Sequence, residues 1–109
     1  PALAAARIGV HFARHHFFVR EGQLPAEAHR LGECAGVIVQ GGADLVTPPA
    51  AAASLHRAWP GSHLRLLPSA GHASSHPMLA KDLIAATDFF RDPSSNDMET
   101  SNAGFEFGR

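Results

Sequence analysis

The sequence has little of what membrane insertion or disulfide crosslinking requires. Its apolar runs are short, far below the ~20 consecutive residues of a membrane-spanning helix. Its one cysteine, Cys34, excludes an intramolecular disulfide and favours a reducing compartment. Residues 1–6 lack the charged start and long apolar run of a signal peptide. We therefore expect a cytoplasmic chain that does not enter membranes.

The chain also has no marked excess of charge of either sign. Nine Lys and Arg residues against ten Asp and Glu residues give a formal charge of −1. Such a balance supplies no basic surface for nucleic acid or for an anionic membrane. The 109 residues, 45% of them apolar, suffice for one small domain at most.

Helical periodicity dominates the first third of the chain. A spacing of three and four residues predicts a helix over residues 2–19. The positions with this spacing are Leu3, Arg7, Val10 or His11, Arg14, and Phe17 or Phe18. A break follows, and residues 23–31 predict a shorter helix with Pro25 in its first turn and Gly32 at its end. The pattern then changes.

The middle of the chain alternates strand and helix. A β-branched run between glycines predicts a strand at residues 36–41, buried on both faces, and residues 63–68 predict a second strand. Helices are expected over residues 47–58 and 76–90. Residues 92–109 are polar, turn-rich and without period, so they predict a disordered tail.

This order of elements predicts a fold that is incomplete. Strand, helix, strand and helix in succession form parallel strands joined by a right-handed crossover. Two strands do not make a stable open sheet. We therefore expect the last piece of a larger doubly wound sheet.

Two ionisable residues follow the two predicted strands. In doubly wound sheets the functional groups lie in loops after the carboxyl ends of the strands. Asp44 follows the first strand and His72 follows the second, and a carboxylate in that position can orient an imidazole and stabilise its cation. The alternative is that Asp44 caps the helix near Thr47 and that His72 is an ordinary loop histidine.

Several segments together resemble one enzyme family. They are GVIVQGGAD (36–44), TP (47–48), LHRAWP (55–60), PSAGH (68–72) and AATDF (85–89), with ARI (6–8), HF (11–12) and AHRL (28–31) upstream. In combination they resemble the C-terminal third of the proline iminopeptidases, which are prolyl aminopeptidases of the α/β-hydrolase fold. The resemblance covers about residues 5 to 90.

The resemblance implies a fold class and a division of the chain. The class is α/β: the C-terminal βαβα portion of an α/β-hydrolase sheet, preceded by cap-derived helices and incomplete as a domain. Residues 1–31 would be the helical end of the cap and its lead-in, residues 32–91 the C-terminal α/β-hydrolase portion, and residues 92–109 the tail.

The resemblance also implies catalytic roles. Asp44 would be the acid and His72 the base of a serine peptidase triad, acting on peptides with N-terminal proline and without a metal or other cofactor. The family's serine lies in Gly-x-Ser-x-Gly, a pattern that these 109 residues do not contain. The implied partner is the missing N-terminal portion of the same enzyme. The alternatives are a fragment of another α/β-hydrolase, such as an esterase or C–C bond hydrolase, and a truncated chain without activity of its own.

Other candidate groups have weaker patterns. Cys34 lies in Gly-x-Cys-x-Gly, but it follows a predicted helix and precedes a strand, the reverse of a nucleophile elbow. We expect it to be a buried, inert thiol. His11 and His15 have i, i+4 spacing without a third ligand at a telling spacing, so no metal site is predicted.

One position departs from the family pattern. Where the family has a glutamate that holds the substrate's amino terminus, this chain has Gly9. Glu21, twelve residues further on, is a candidate substitute for substrate binding. Without one, we expect weaker recognition of a free amino terminus.

Overall fold

The computed structural model describes residues 1–92. The disordered tail that the sequence predicts for residues 92–109 lies outside the described residues, Asp92 excepted. Within residues 1–92 the chain is a mixed α/β arrangement with a parallel two-stranded sheet, as the sequence predicts.

The first helix is shorter than the periodicity of the sequence predicts. Helix α1 spans Ala2–Arg14, and a 3₁₀ turn follows at His16–Phe18. The three residues of this turn have positive φ angles of 50°, 55° and 57°, which a right-handed helix cannot contain. The ring of Phe18 thereby stacks on that of His15, with centroids 5.3 Å apart. The predicted helix over residues 2–19 was thus too long by several residues.

The second predicted helix divides into two pieces. Helix α2 spans Gln23–Glu27, and a 3₁₀ turn continues through Ala28–Leu31. Gly32 ends it with a φ of 55°, a left-handed conformation that glycine adopts without strain. The predicted end of this segment is therefore confirmed.

The sheet follows the predicted topology closely. Strand β1 spans Gly36–Gly41, as predicted. Strand β2 spans Ser62–Leu67, so it begins and ends one residue earlier than the predicted range of 63–68. They are parallel and in register from Gly36 opposite Ser62 to Gly41 opposite Leu67. Helix α3, Pro49–Ala58, connects them, and helix α4, Pro77–Arg91, follows β2.

Burial of the strands is less complete than predicted. Only the two end glycines of β1 are buried, and its four central residues are half-buried. Each strand has a hydrogen-bonded neighbour on one side only within residues 1–92. The expectation of burial on both faces was therefore wrong for this segment, because one crossover and two strands provide too little cover.

The small core lies between the sheet and α4. It consists of Leu67, Ala70 and Leu79, with Val39 packed against them. Beside it, Arg65 on β2 and the buried Asp82 on α4 form an ion pair with an Nε–Oδ2 distance of 3.1 Å. These contacts hold α4 on the strands.

The amino end of β1 contacts the residue that follows α3. A Cβ atom at Gly36 would lie 2.1 Å from the indole ring of Trp59, so only glycine permits this approach. The Trp59 indole N–H donates to the carbonyl of Cys34 at 2.9 Å. The thiol of Cys34 is exposed, so the expectation that it is buried was wrong. The backbone carbonyl of Cys34 thus contacts Trp59, whereas its side chain lies at the surface.

Helix α1 has exposed apolar side chains without a covering element. Leu3, Ile8 and Val10 are between 61% and 73% exposed. Among the helices and strands of residues 1–92, α1 contacts only the 3₁₀ turn that follows it. None of the helices in residues 1–92 combines the length and the apolar character that a membrane-spanning helix needs.

Candidate functional site

Two loops meet at the carboxyl edge of the sheet. One joins β1 to α3 and contains Asp44, and the other joins β2 to α4 and contains His72. Backbone hydrogen bonds connect them: the N–H of Gly42 donates to Leu67 at 2.8 Å, and the N–H of Ala43 donates to Ala70 at 3.0 Å. The parallel register thus continues past the strands and fixes the two loops against each other.

A glycine permits this close approach. A Cβ atom at Gly41 would lie 2.3 Å from the carbonyl oxygen of Gly71 and 2.5 Å from that of Ala70. Backbone atoms on both sides leave no room for a side chain. The last residue of β1 therefore determines how near the loop that contains His72 lies to the loop that contains Asp44.

The Asp44 carboxylate is buried, with a residue exposure of 6%, and is surrounded by donors. Its Oδ1 accepts from the backbone N–H groups of Val46 and Thr47, each at 2.9 Å. Its Oδ2 accepts from the Thr47 hydroxyl at 2.8 Å and from His72 Nδ1 at 3.0 Å. The side-chain amide of Gln40 approaches the same oxygen at 3.5 Å.

These donors determine the charge of the site. Burial by itself raises the pKa of Asp44, because it disfavours the charged form. The hydrogen bonds from the Thr47 backbone, the His72 ring, the Thr47 hydroxyl and the Val46 backbone outweigh burial and hold the pKa of Asp44 well below its usual range. The carboxylate is therefore ionised throughout the neutral pH range.

The pairing favours one tautomer of the histidine. An ionised carboxylate only accepts hydrogen bonds, so the hydrogen between Asp44 Oδ2 and His72 belongs to Nδ1. In the neutral ring the basic atom is then Nε2. The His72 side chain is 55% exposed, so a proton can be transferred to and from Nε2.

The geometry confirms the predicted proximity of the two groups. The alternative, that Asp44 caps a helix, agrees with the structure in one respect. The Asp44 side chain accepts hydrogen bonds from the backbone just before α3. It is not the cap of that helix, however, since α3 begins at Pro49 after Pro48 and has no side-chain cap. Whether Asp44 and His72 are catalytic stays a prediction.

Sequence reasoning missed two neighbouring side chains. The sequence pattern places Thr47 at the start of a helix, but its hydroxyl contacts both Asp44 and His72. Gln40 donates to the carbonyls of Gly41 and Thr47, each at 3.0 Å. Both residues are polar and close in sequence to Asp44, and that proximity is the only signal that could have indicated them.

The other candidates lie elsewhere. Glu21 is exposed in the turn before α2 and is not among the hydrogen-bond partners of Asp44 and His72 described above. Cys34 precedes the amino end of β1, at the opposite edge of the sheet. The ring of His11, on α1, is 4.7 Å from that of His15, which follows the helix. Residues 1–92 contain no group of three or more His, Cys, Asp or Glu side chains that could hold a metal ion.

Fold and site together define an α/β segment with a buried carboxylate bonded to an exposed imidazole at the carboxyl edge of parallel strands. Curated relatives share most of this segment. A proline iminopeptidase of Xanthomonas citri is 44% identical over 90 residues, which is 82% of this chain and 29% of the relative. One of Arabidopsis thaliana is 33% identical over 93 residues, 80% of this chain and 23% of the relative. A probable proline iminopeptidase of Leptolyngbya boryana is 41% identical over 88 residues, 80% of this chain and 27% of the relative.

The chain is therefore homologous to the C-terminal part of the proline iminopeptidases, as the sequence motifs predict. It spans less than a third of the length of the relatives described above. No protein-family model matches it.

Proposed function

We propose that this segment supplies the acid and the base of a serine aminopeptidase of the α/β-hydrolase fold that releases N-terminal proline from peptides. The observation that supports it best is the 3.0 Å hydrogen bond between Asp44 and His72. It lies in loops at the carboxyl edge of parallel strands, in a chain 44% identical to a proline iminopeptidase over 90 residues.

In the proposed reaction His72 moves the protons. Its Nε2 removes the proton from a serine hydroxyl as that oxygen attacks the carbonyl carbon of the substrate's proline, and then gives this proton to the leaving amine. Asp44 keeps the hydrogen on Nδ1 and stabilises the imidazolium that forms between the two steps. Water attacks the resulting ester by the same route in the second half of the reaction.

The proposal assigns the remaining groups to a partner segment. The nucleophilic serine and the oxyanion-stabilising donors belong to the N-terminal portion of the same enzyme, since no serine of this sequence lies in Gly-x-Ser-x-Gly. The proposed compartment is the cytoplasm, supported by the lone cysteine. Glu21 remains the candidate for binding the substrate's amino terminus.

A chimera tests this function. In it, residues of this chain replace the matching 90-residue segment of the Xanthomonas citri relative. We expect hydrolysis of proline-β-naphthylamide, and no comparable hydrolysis of a simple ester such as p-nitrophenyl acetate. Ester hydrolysis without aminopeptidase activity would favour the alternative of another α/β-hydrolase. A folded chimera inactive on both would contradict the proposal.

Two substitutions in the chimera test the assigned roles. Asp44→Asn and His72→Ala should each lower kcat by about 10⁴-fold, with unchanged circular dichroism. Asp88→Asn and His29→Ala replace the same residue types at exposed positions, and these controls should retain kcat within about twofold. Equal effects of site and control substitutions would refute the assignment.

The 109-residue chain alone should be inactive, because it lacks an activated nucleophile and an oxyanion hole. Turnover by the purified chain that disappears in Cys34→Ala would contradict this expectation. It would show that the exposed thiol of Cys34 is the nucleophile.

A further inference from the structure

A hydroxyl group lies between the acid and the base of the site. Thr47 Oγ1 is 2.8 Å from Asp44 Oδ2 and 3.3 Å from His72 Nδ1. We propose that the Thr47 hydroxyl is a positioning group, which selects the carboxylate oxygen that faces His72 and holds the imidazole in the Nδ1–H tautomer. The catalytic consequence of this rests on the proposed function, whereas the effect on the imidazole does not.

The hydrogens at the site can be assigned one by one. A threonine hydroxyl has one hydrogen and two lone pairs. Its hydrogen goes to Asp44 Oδ2, the nearer and charged acceptor. A lone pair of Oγ1 then faces His72, so the Nδ1–H lies between two acceptors, Oδ2 at 3.0 Å and Oγ1 at 3.3 Å.

The opposite tautomer is disfavoured by the same atoms. If the hydrogen were on Nε2, the lone pair of Nδ1 would lie 3.0 Å from a carboxylate oxygen. The Thr47 hydroxyl could relieve this repulsion only by turning its hydrogen away from Asp44. The arrangement therefore keeps Nε2 free of hydrogen, as a general base requires.

The backbone of Thr47 is held without its hydroxyl. Its N–H donates to Asp44 Oδ1 at 2.9 Å, and its carbonyl accepts from the Gln40 side chain at 3.0 Å. Pro48 and Pro49 follow, and their rings restrict φ. Replacing Thr47 by valine, which has nearly the same shape, should therefore remove the hydroxyl and leave the loop in place.

Four variants test the proposal: Thr47→Val, Thr47→Ala, Thr47→Ser and Thr87→Val. Thr87 is the matched control, because its hydroxyl bonds to a carbonyl within α4 at 2.8 Å, away from the site. Each is made in the chimera and in the 109-residue chain. The readouts are kcat and KM for proline-β-naphthylamide and the His72 tautomer from ring ¹⁵N chemical shifts.

We expect Thr47→Val and Thr47→Ala to lower kcat by about 10-fold or more, the typical effect of losing a hydrogen bond to a charged group. KM should change less than twofold, and the His72 ring should become a mixture of tautomers. Thr47→Ser should restore both readouts, and Thr87→Val should alter neither.

Three outcomes would overturn the proposal. The first is wild-type kcat and a wild-type tautomer ratio in Thr47→Val. The second is failure of Thr47→Ser to restore them. The third is loss of the folded circular dichroism spectrum in both Thr47→Val and Thr47→Ala, which would make the hydroxyl a structural group. If the chimera with Thr47 intact is inactive, the proposed function fails, and the tautomer measurement still decides the role of Thr47.

Discussion

Substitution of Gly41 by alanine should uncouple the acid from the base. The added Cβ atom would lie 2.3 Å from the Gly71 carbonyl oxygen and 2.5 Å from that of Ala70. Both obstacles are backbone atoms, which cannot rotate away as a flexible side chain can. The loop that contains His72 must therefore move as a unit.

The required movement is large on the scale of the site. Ordinary van der Waals contact begins at 3.4 Å, so the loop must retreat by about 1 Å. Overpacking of this kind typically destabilises a protein by about 1–3 kcal/mol. A shift of 1 Å away from Asp44 would stretch the 3.0 Å bond to His72 beyond hydrogen-bonding range. Misplacement by that distance lowers turnover by about 10²-fold.

Gly71→Ala is the matched control. Gly71 precedes His72 directly, and a Cβ atom there would have no neighbour within 4 Å. In the chimera, we expect Gly41→Ala to lower kcat by about 10²-fold and to lower the free energy of unfolding in urea. Gly71→Ala should leave both values close to those of the parent.

The comparison can refute the reasoning in two ways. Equal kcat values for the two variants would show that the approach of Gly41 to the second loop does not position His72. A loss of stability in Gly41→Ala with full activity would show that the pair tolerates movement of the loop. Either result would remove the structural argument that connects the strand register to the site.

Three further predictions concern charge and substrate choice. The pKa of Asp44 is depressed in the folded chain. Its contribution to stability is therefore present above the ordinary carboxyl pKa of about 3.9 and is lost as pH falls through the folded value. The difference in Tm between wild type and Asp44→Asn should shrink below about pH 4, and a difference that grows there would contradict this. Asp82→Ala leaves Arg65 without its 3.1 Å partner and should destabilise the fold by about 1–3 kcal/mol in urea unfolding, whereas Asp88→Ala, in an exposed pair, should cost less than about 1 kcal/mol. A side chain at Gly9 would have open space around it. Gly9→Glu should raise the preference of the chimera for free over N-acetylated proline substrates by about 10- to 150-fold in kcat/KM. An unchanged preference would refute the inference from Gly9.

The parts of the fold that sequence predicted well are those that local patterns determine. The run from Gly36 to Gly41 is β-branched between glycines, and its predicted bounds agree with the observed strand. The positions of Asp44 and His72 after two strands required only the rule that parallel strands end at the same edge. Their proximity followed from topology without knowledge of any side-chain contact.

The parts that it missed depend on contacts between side chains. Nothing in the sequence His16-Phe17-Phe18 indicates positive φ angles, since the residues there are neither glycine nor asparagine. The end of α1 is accompanied instead by the stacking of Phe18 on His15. In the same way, no periodicity reveals that Cys34 is exposed or that its carbonyl accepts a hydrogen bond from Trp59.

The site is ordered by contacts that this segment contains within itself. Hydrogen bonds from Gly42 and Ala43 join the two loops, and the donors to Asp44 all come from the same loops and from β1. The rest of the structure differs, because the exposed apolar side chains of α1 have no covering element within residues 1–92, and each strand has an open edge in the same region. Open edges and uncovered apolar helices are surfaces that proteins pair or bury. The segment therefore orders its acid and base locally, whereas its outer surfaces stay open within residues 1–92. In the reaction that we propose, the nucleophile comes from a further segment of polypeptide.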